Sequence, residues 1–406
     1  MRTAKLICVT SENNNKFYNM VENTDGSISV EYGRVGSTKQ TEHYPVGKKS
    51  WEGIIRSKLK KGYQDITSLK TSSDQANNNN DIFKNITDTK VISLMKYLME
   101  CSKNIVKTNY LVTTDDVTKK QLEEAQKLID ETIQYLQVVK SVSSLNAILT
   151  KLYTVLPRKM KNVKHHLVDS LNTKYDVDDV RKLIDNEQSL LSTLESQVLA
   201  NSQATDMSTN SKNILEEMGI EVSIETDQKM LDKINYFLGT NKQYCKNIYK
   251  VINHSTQKRF DDHLAKMSNK ETMLLWHGSR NENWLGILQK GLMVRPANAI
   301  ITGAMFGNGI YFANRSQKSL GYSSLSGSYW TGGNSNKGFL ALFSVHTGNS
   351  KQIYKHDSSC YTLHNSITKQ GFDSVFAHKG ADLRNDEIIT YDVEKSTISY
   401  IIEMEK

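Results

Sequence analysis

The chain has 406 residues, enough for two or three domains at a usual size of about 150 residues each. With 38% apolar and 24% charged residues it can build cores, which excludes wholesale disorder. Its net charge of +8 favours an acidic partner such as nucleic acid, but an ordinary basic enzyme would show the same excess. Cys8, Cys101, Cys245 and Cys360 lie far apart and form no C-x-x-C pair. That spacing excludes zinc ribbons and C-x-x-C redox sites and argues against a disulfide framework. The apolar opening stretch, Leu6 to Val9, is too short for a signal peptide, and no run of about 18 apolar residues follows, so a soluble intracellular protein is expected.

In chain order, residues 1–66 read as strands followed by a helix. KLICV, FYNMVEN and SISVEYGRVG are β-type runs, and the Asp25-Gly26 pair between the last two signals a hairpin. SWEGIIRSKLKKGY follows, with Trp51, Ile54, Ile55 and Leu59 at helical spacing. Residues 67–89 are polar, contain the tract Asn77–Asn80 and read as a linker. The Asn tracts, Asn13–Asn15 included, are read as a trace of an A/T-rich genome.

Residues 90–202 read as amphipathic helices forming an all-α bundle. Val91, Leu94, Met95, Leu98 and Met99 mark one stripe; Leu122, Ala125, Leu128, Ile129, Ile133 and Leu136 mark a second, with Thr118 as its N-cap. Leu145, Ile148, Leu149 and Leu152 make a third, stopped by Pro157, and Val180, Leu183, Ile184, Leu190, Leu191 and Leu194 a fourth. Residues 201–228 are expected to be loop, and MLDKINYFLG and YCKNIYKVIN helical. From Met273 onward, short β-type runs (MLLWHGS, GIYFA, GFLALFSVHTG, EIITYDV, IIEM) separated by Gly, Ser and Asn point to a mixed α+β domain with antiparallel sheets. The expected fold class is thus multidomain α+β: a small mixed sheet with a helix, a helical bundle and a larger α+β domain over residues 225–406.

Three stretches of that last domain carry candidate chemistry. In LLWHGSR an apolar strand runs into His277-Gly278, where a missing side chain lets a ligand approach the backbone; a histidine satisfied in a turn is the plain alternative. In TGAMFGNGIYFANRSQKSLGY, Tyr311, Lys318, Ser319 and Tyr322 fall within a dozen residues. Two tyrosines with a hydroxyl between them can sandwich a planar heterocycle, although two half-buried core tyrosines would read the same way. In RNDEIITYDVE, Glu387 opens a strand, where a carboxylate that only solvates a sheet edge is the plain alternative. GNGIYF precedes a strand instead of joining strand to helix, so a dinucleotide-binding Rossmann loop is unsupported. No P-loop, HExxH, GxSxG or kinase motif occurs.

Together, LLWHGSR, GAMFGNGIYFA, KSLGY and NDEIITYD closely resemble, in order and spacing, the catalytic domain of the poly(ADP-ribose) polymerases. The resemblance implies NAD+ as substrate, no metal, and a His-Tyr-Glu triad at His277, Tyr311 and Glu387. It implies that the Gly278 backbone and the Ser319 hydroxyl hold the carboxamide and that Tyr322 and Tyr311 flank the nicotinamide ring. His277 would bind an adenosine-ribose hydroxyl, and Glu387 the nicotinamide-ribose 2′-hydroxyl. Ser279, Arg280 and Asn283 match the adenosine-side pattern, and Lys318 joins the NAD-binding set. Met293 stands where relatives place an arginine, with Arg295 as a substitute, and Asp386 stands where an asparagine is familiar.

Upstream, LYTVLP and KLIDNE resemble the helical regulatory domain of the DNA-dependent members, and EYGRVG the Trp-Gly-Arg domain, with Tyr32 in place of its tryptophan. Residues 48–61 carry six basic residues and one acidic. With the resemblance, Tyr32, Arg34, Lys48, Lys49, Lys58, Lys60 and Lys61 are expected to meet DNA through phosphate contacts. A second basic cluster (Arg158, Lys159, Lys161, Lys164, His165, His166) reads either as a DNA-facing or localisation patch or as a solvated loop. The implied partners are DNA ends or breaks and protein acceptors including the chain itself, without a membrane, and the implied address is nuclear. A mono-ADP-ribosyltransferase of the same fold and an inactive DNA-end-binding adaptor are the alternatives.

Overall fold

The computed structural model describes residues 2–67, 81–111, 117–138, 141–206, 212–294, 305–329, 331–380 and 382–406. They fall into two compact units, one of Met1–Ala76 with Asn104–Leu194, the other of Asn77–Lys103 with Glu195–Lys406.

The first unit opens with β1 (Thr3–Thr10), β2 (Asn14–Glu22), β3 (Ile28–Arg34) and β4 (Gln40–Tyr44), followed by α1 (Trp51–Lys60) and β5 (Gln64–Asp65). The antiparallel sheet runs β4-β3-β2-β1-β5. Gly26, at φ +81°, supplies the left-handed residue of the β2–β3 turn, and Asp25 accepts from the Ser27 amide at 2.9 Å. The Ser50 hydroxyl caps α1 by accepting from the Gly53 amide. Trp51 and Ile54 then bury against Leu6, Tyr18, Met20 and Val30, while Leu59, at the far end of the expected stripe, is 46% exposed.

α2 (Thr89–Asn109), α3 (Lys119–Val138), α4 (Val142–Val155) and α5 (Lys174–Asp206) follow. Thr118 and Gln121 form a reciprocal capping box at the start of α3. The apolar stripes of α3 and α4 are buried as their spacing predicts. Residues 68–80 of the expected linker lie outside the described residues. Just beyond them, Ile82 and Phe83 are buried together with Val91, Leu94, Met95 and Leu98 in the core of the second unit.

The second unit continues with α6 (Ile214–Met218), β6 (Ile220–Ile224), α7 (Gln228–Leu238), β7 (Cys245–Asn253), α8 (His254–Lys266), β8 (Thr272–Gly278), α9 (Trp284–Lys290), β9 (Ile310–Phe312), α10 (Ser316–Leu320), β10 (Lys337–His346), β11 (Ser350–Ile353), β12 (Ser374–Ala377), β13 (Glu387–Thr390) and β14 (Ser396–Glu405). It is mixed α+β, as expected. A five-stranded antiparallel sheet runs β6-β7-β14-β10-β8, and a four-stranded one β11-β12-β13-β9, in which only β11 and β12 are parallel.

Two expectations are corrected here. YCKNIYKVIN is not helical: it forms β7, hydrogen-bonded between β6 and β14. Ile248, Tyr249 and Val251 are buried within the sheet, and the strand shows no regular alternation that would have marked it. Residues 201–228 are not all loop either, since α5 runs to Asp206 and α6 and β6 lie before Ile224.

Candidate active site

The site forms where the two sheets of the second unit meet. β8 and β9 are joined by the reciprocal bridge Trp276–Ala313, at 2.8 and 2.9 Å, which sets His277 beside Tyr311. β9 pairs with β13, so Tyr311 (opposite Ile389) and Glu387 belong to neighbouring strands of one sheet. The triad residues therefore come from three strand ends brought together.

His277 Nδ1 lies 3.1 Å from the Tyr311 carbonyl. A carbonyl only accepts, so Nδ1 carries the hydrogen and Nε2 keeps its lone pair. Burial pushes the imidazole pKa down to about 4, against the opposing pull of that carbonyl, so the ring is neutral near pH 7. The edges of Phe312 and Phe343 meet the ring at 6.0 Å each and hold its plane. Gly278 packs so closely on the Ser319 backbone that an added Cβ would sit 1.8 Å from the Ser319 carbonyl oxygen, and glycine alone fits there. Ser319 is itself buried.

The Tyr311 hydroxyl donates to the Gly307 carbonyl at 2.8 Å and accepts from the Phe306 amide at 3.1 Å. Burial raises its pKa, with the nearby Glu387 and Tyr322 adding to the effect. Tyr322 is 39% exposed at the mouth of the site, its hydroxyl pushed up to about 12 by burial and by Glu387. Lys318 Nζ lies 2.6 Å from Glu387 Oε1. Burial lowers the Lys318 pKa, and Glu387 pulls it back up. Asp386 faces away from this pair, accepting from the Lys379 amide at 2.8 Å and the Asn314 amide side chain at 2.7 Å. Burial would raise its carboxyl pKa, but those two donors outweigh it and hold the group below its usual range.

On the opposite rim, Asn283 donates to the Ser279 hydroxyl at 3.0 Å, and Arg280 lies 3.9 Å from Glu282. Between them Asn281 is buried and donates to the Tyr97 hydroxyl of α2 at 3.1 Å and to the Lys337 carbonyl at 2.9 Å. Sequence reasoning passed over Asn281 and Tyr97. Asn281 stands among the adenosine-side residues, but nothing local marks a partner 184 positions away. Met293 is 65% exposed, and Arg295 lies outside the described residues, as do Thr302, Gly303 and Ala304 of the glycine-rich loop.

In the first unit, Tyr32, Tyr18 and Tyr63 surround Lys58, whose Nζ lies 5.9, 3.6 and 5.3 Å from the respective ring centres. Burial lowers the Lys58 pKa, helped by Lys61 and Lys49. Lys49 Nζ sits 4.0 Å over Tyr44, and Lys48, Lys49, Lys60 and Lys61 are exposed. Arg34 turns inward and donates to the Asn13 carbonyl and side chain and to the Lys161 carbonyl. Asn13 Oδ1 accepts from the Val163 amide, and Asn15, fully buried, donates to the Arg158 carbonyl. The structure thus fastens the second basic cluster to the β1–β2 turn through its backbone.

Residues 228–406 match the family model of the poly(ADP-ribose) polymerase catalytic domain. The poly [ADP-ribose] polymerase-like protein 100L of Invertebrate iridescent virus 6 is 32% identical over 181 residues, 43% of this chain and 95% of that protein. An uncharacterized protein of the same virus, 101L, is 32% identical over 210 residues, 52% of this chain and 83% of its own length. The chain belongs to the poly(ADP-ribose) polymerase family. The poly [ADP-ribose] polymerase of Drosophila melanogaster is 26% identical over 323 residues, 70% of this chain but 30% of its own length. As a poly(ADP-ribose) polymerase family member, the chain is an NAD+ ADP-ribosyltransferase. Among the described residues, no helix is long and apolar enough to cross a membrane.

Proposed function

We propose that this polymerase-family chain is stimulated by DNA breaks, acts in the nuclear response to DNA damage and transfers ADP-ribose to protein acceptors, itself included, or to a growing chain. The observation that carries the catalytic half of this reading is that His277 meets Tyr311 while the Lys318–Glu387 pair lies close enough to act electrostatically on both.

The mechanism follows from what each group can do there. Gly278 offers its backbone to the carboxamide, with the Ser319 hydroxyl as second partner, and Tyr322 and Tyr311 flank the nicotinamide ring. Neutral His277 presents Nε2 as an acceptor for an adenosine-ribose hydroxyl. Ser279, Arg280 and Asn283 line the adenosine side. Cleavage leaves the electron pair of the C1′–N bond on the nicotinamide nitrogen, which loses its positive charge, and builds oxocarbenium character at C1′. The Glu387 carboxylate, bonded to the ribose 2′-hydroxyl and steadied by Lys318, stabilises that charge as carboxylates do in glycoside hydrolysis. The acceptor oxygen then bonds to C1′ and its proton passes to Glu387.

The regulatory half rests on the first unit and on α2. Exposed Lys48, Lys49, Lys60 and Lys61 beside Tyr32 and Lys58 suit a phosphate backbone. Arg34 acts at one remove, by holding Asn13 and the segment after Pro157. The contact from Tyr97 to Asn281 supports a helical element that reports on the donor site. Incubation with labelled NAD+, with and without broken DNA, tests the whole reading. Nicotinamide release that rises with DNA, with label on protein, is expected; no release in either condition refutes the enzyme, and DNA-independent release refutes the regulation. DNA affinity should fall as salt rises, and neutralising Lys58, Lys60 and Lys61 should flatten the log–log slope by about 0.9 per lost phosphate contact. Chain length on a gel separates polymer from single units.

A further inference from the structure

Met305–Asn308, shortly before β9, belong to no helix or strand, so their backbone groups need partners from elsewhere. Side chains of the second unit supply them. His356 Nε2 lies 2.9 Å from the Met305 carbonyl. A carbonyl only accepts, so this nitrogen carries the hydrogen. The Tyr391 hydroxyl donates to the Phe306 carbonyl at 2.6 Å. The Asn308 amide donates to His364 Nδ1 at 3.4 Å, so that nitrogen keeps its lone pair and the ring hydrogen sits on Nε2.

Both histidines come from one stretch, which leaves β11 and runs through the 3-10 turns Ser358–Asn365. That stretch is itself anchored. The His356 amide donates to Asp382 at 2.8 Å, and Asp357 accepts from the Ser359 amide at 2.8 Å. The rings of Tyr361 and Phe306 meet His356 edge-on at 4.8 and 5.8 Å. Cys360 and Leu363 are buried together with Phe306, which is 1% exposed. Gly307 takes a φ of +82°, and an added Cβ would lie 2.6 Å from His364 Nδ1 and 3.0 Å from the Tyr361 carbonyl. Only a residue without a side chain lets the backbone come so close to the imidazole.

The residues held in this way supply both partners of the Tyr311 hydroxyl, the Phe306 amide and the Gly307 carbonyl. A shift of Met305–Asn308 therefore moves the groups that fix the Tyr311 ring. We infer that His356 and His364 are positioning residues of the donor site, which seat this backbone and through it hold Tyr311 ready for the nicotinamide ring. The inference rests on the role proposed above for Tyr311 and adds the groups that keep that tyrosine in place. A ring fixed before binding loses less freedom when the dinucleotide arrives, so the seating acts on NAD+ affinity.

The test is calorimetric binding of a non-cleavable NAD+ analogue to the full chain, with folding checked by melting temperature. His356→Leu combined with His364→Leu removes both ring contacts and should weaken binding by about tenfold or more. His356→Gln combined with His364→Asn puts an amide nitrogen and an amide oxygen where Nε2 and Nδ1 stood, and should stay within about threefold of wild type. Tyr391→Phe deletes only the hydroxyl on the Phe306 carbonyl, should weaken binding about three- to tenfold, and serves if the leucine pair does not fold. In turnover, the leucine pair should raise KM for NAD+ more than it lowers kcat, because a misplaced ring wall is already felt in the ground state. Wild-type affinity in the folded leucine pair, or in Tyr391→Phe where that pair does not fold, would overturn the inference. So would equal weakening by the leucine and amide pairs, which would leave the histidines as packing groups alone. Nicotinamide release by the wild type is measured separately: its absence would refute the transferase reading, while analogue binding decides the seating.

Discussion

Two carboxylate–cation pairs, one in each unit, are built for different ends. In the first, the Arg158 and Glu187 side chains are 4% and 5% exposed. Arg158 Nε also donates to the Asn109 carbonyl at 3.2 Å, and its guanidinium lies 5.1 Å from the Tyr110 ring centre. The Tyr153 hydroxyl reaches Glu187 at 3.5 Å. Burial raises the Glu187 pKa and Arg158 counters it, so the carboxylate depends on its partner. In the second unit, Lys318 and Glu387 are 10% and 15% exposed and lie beside half-exposed Tyr322. The same attraction serves as a closed fastening in one place and as a more solvent-accessible contact beside Tyr322 in the other.

The distinction makes the two pairs respond differently to substitution. Arg158→Met should cost about 3–5 kcal/mol, because Glu187 is left as an uncompensated buried charge, and adding Glu187→Leu should restore most of that. Urea unfolding reads both, and equal losses in the single and double variants would erase the difference. Glu387→Gln should lower the unfolding midpoint less than Arg158→Met does, because this pair is less buried, while lowering transfer on the order of 10²–10³-fold, with elongation reduced more than NAD+ binding. Undiminished chain length in that variant would remove Glu387 from the mechanism.

Acid should act on both units alike, which bounds the comparison. His166 in the first and His277 in the second are each pulled to about 4, chiefly by burial, from a usual 6.5. A base with a depressed folded pKa stays neutral while the unfolded chain takes up its proton. The stability it contributes is complete above about pH 6.5 and lost as the pH falls toward 4, by at most about 3 kcal/mol each. A urea midpoint that rises between pH 7 and pH 4.5 would contradict the assignment.

Much of the catalytic region was legible because its features are local. His277-Gly278 at a strand end and Glu387 opening a strand depend on neighbours within a few residues, as does the Thr118 N-cap of α3 in the first unit. What escaped depends on partners far along the chain. Arg158 and Glu187 looked like one member of a basic loop and one polar turn of a helix, and periodicity cannot announce an ion pair. β7 escaped for a different reason: Cys245, Ile248, Tyr249 and Ile252 fall at i, i+3, i+4 and i+7, the spacing of a helical face. The tract Asn13–Asn15 reads in the sequence as genome composition, yet Asn13 takes a left-handed φ of 69° and the side chains of Asn13 and Asn15 make specific hydrogen bonds.

That turn also limits how the chain can be divided. The polar linker after residue 66 invites treatment of the N-terminal sheet as a portable module, to be removed or grafted onto another enzyme. A fragment beginning at residue 90 would expose the carbonyls of Arg158 and Lys161 and the amide of Val163 without their partners from Asn13, Asn15 and Arg34. It would keep Val91, Leu94, Met95 and Leu98 for the catalytic core but lose Ile82 and Phe83 beside them. The separable pieces of this protein are not consecutive stretches of its sequence, and its N-terminal sheet is an integral part of the fold that follows it.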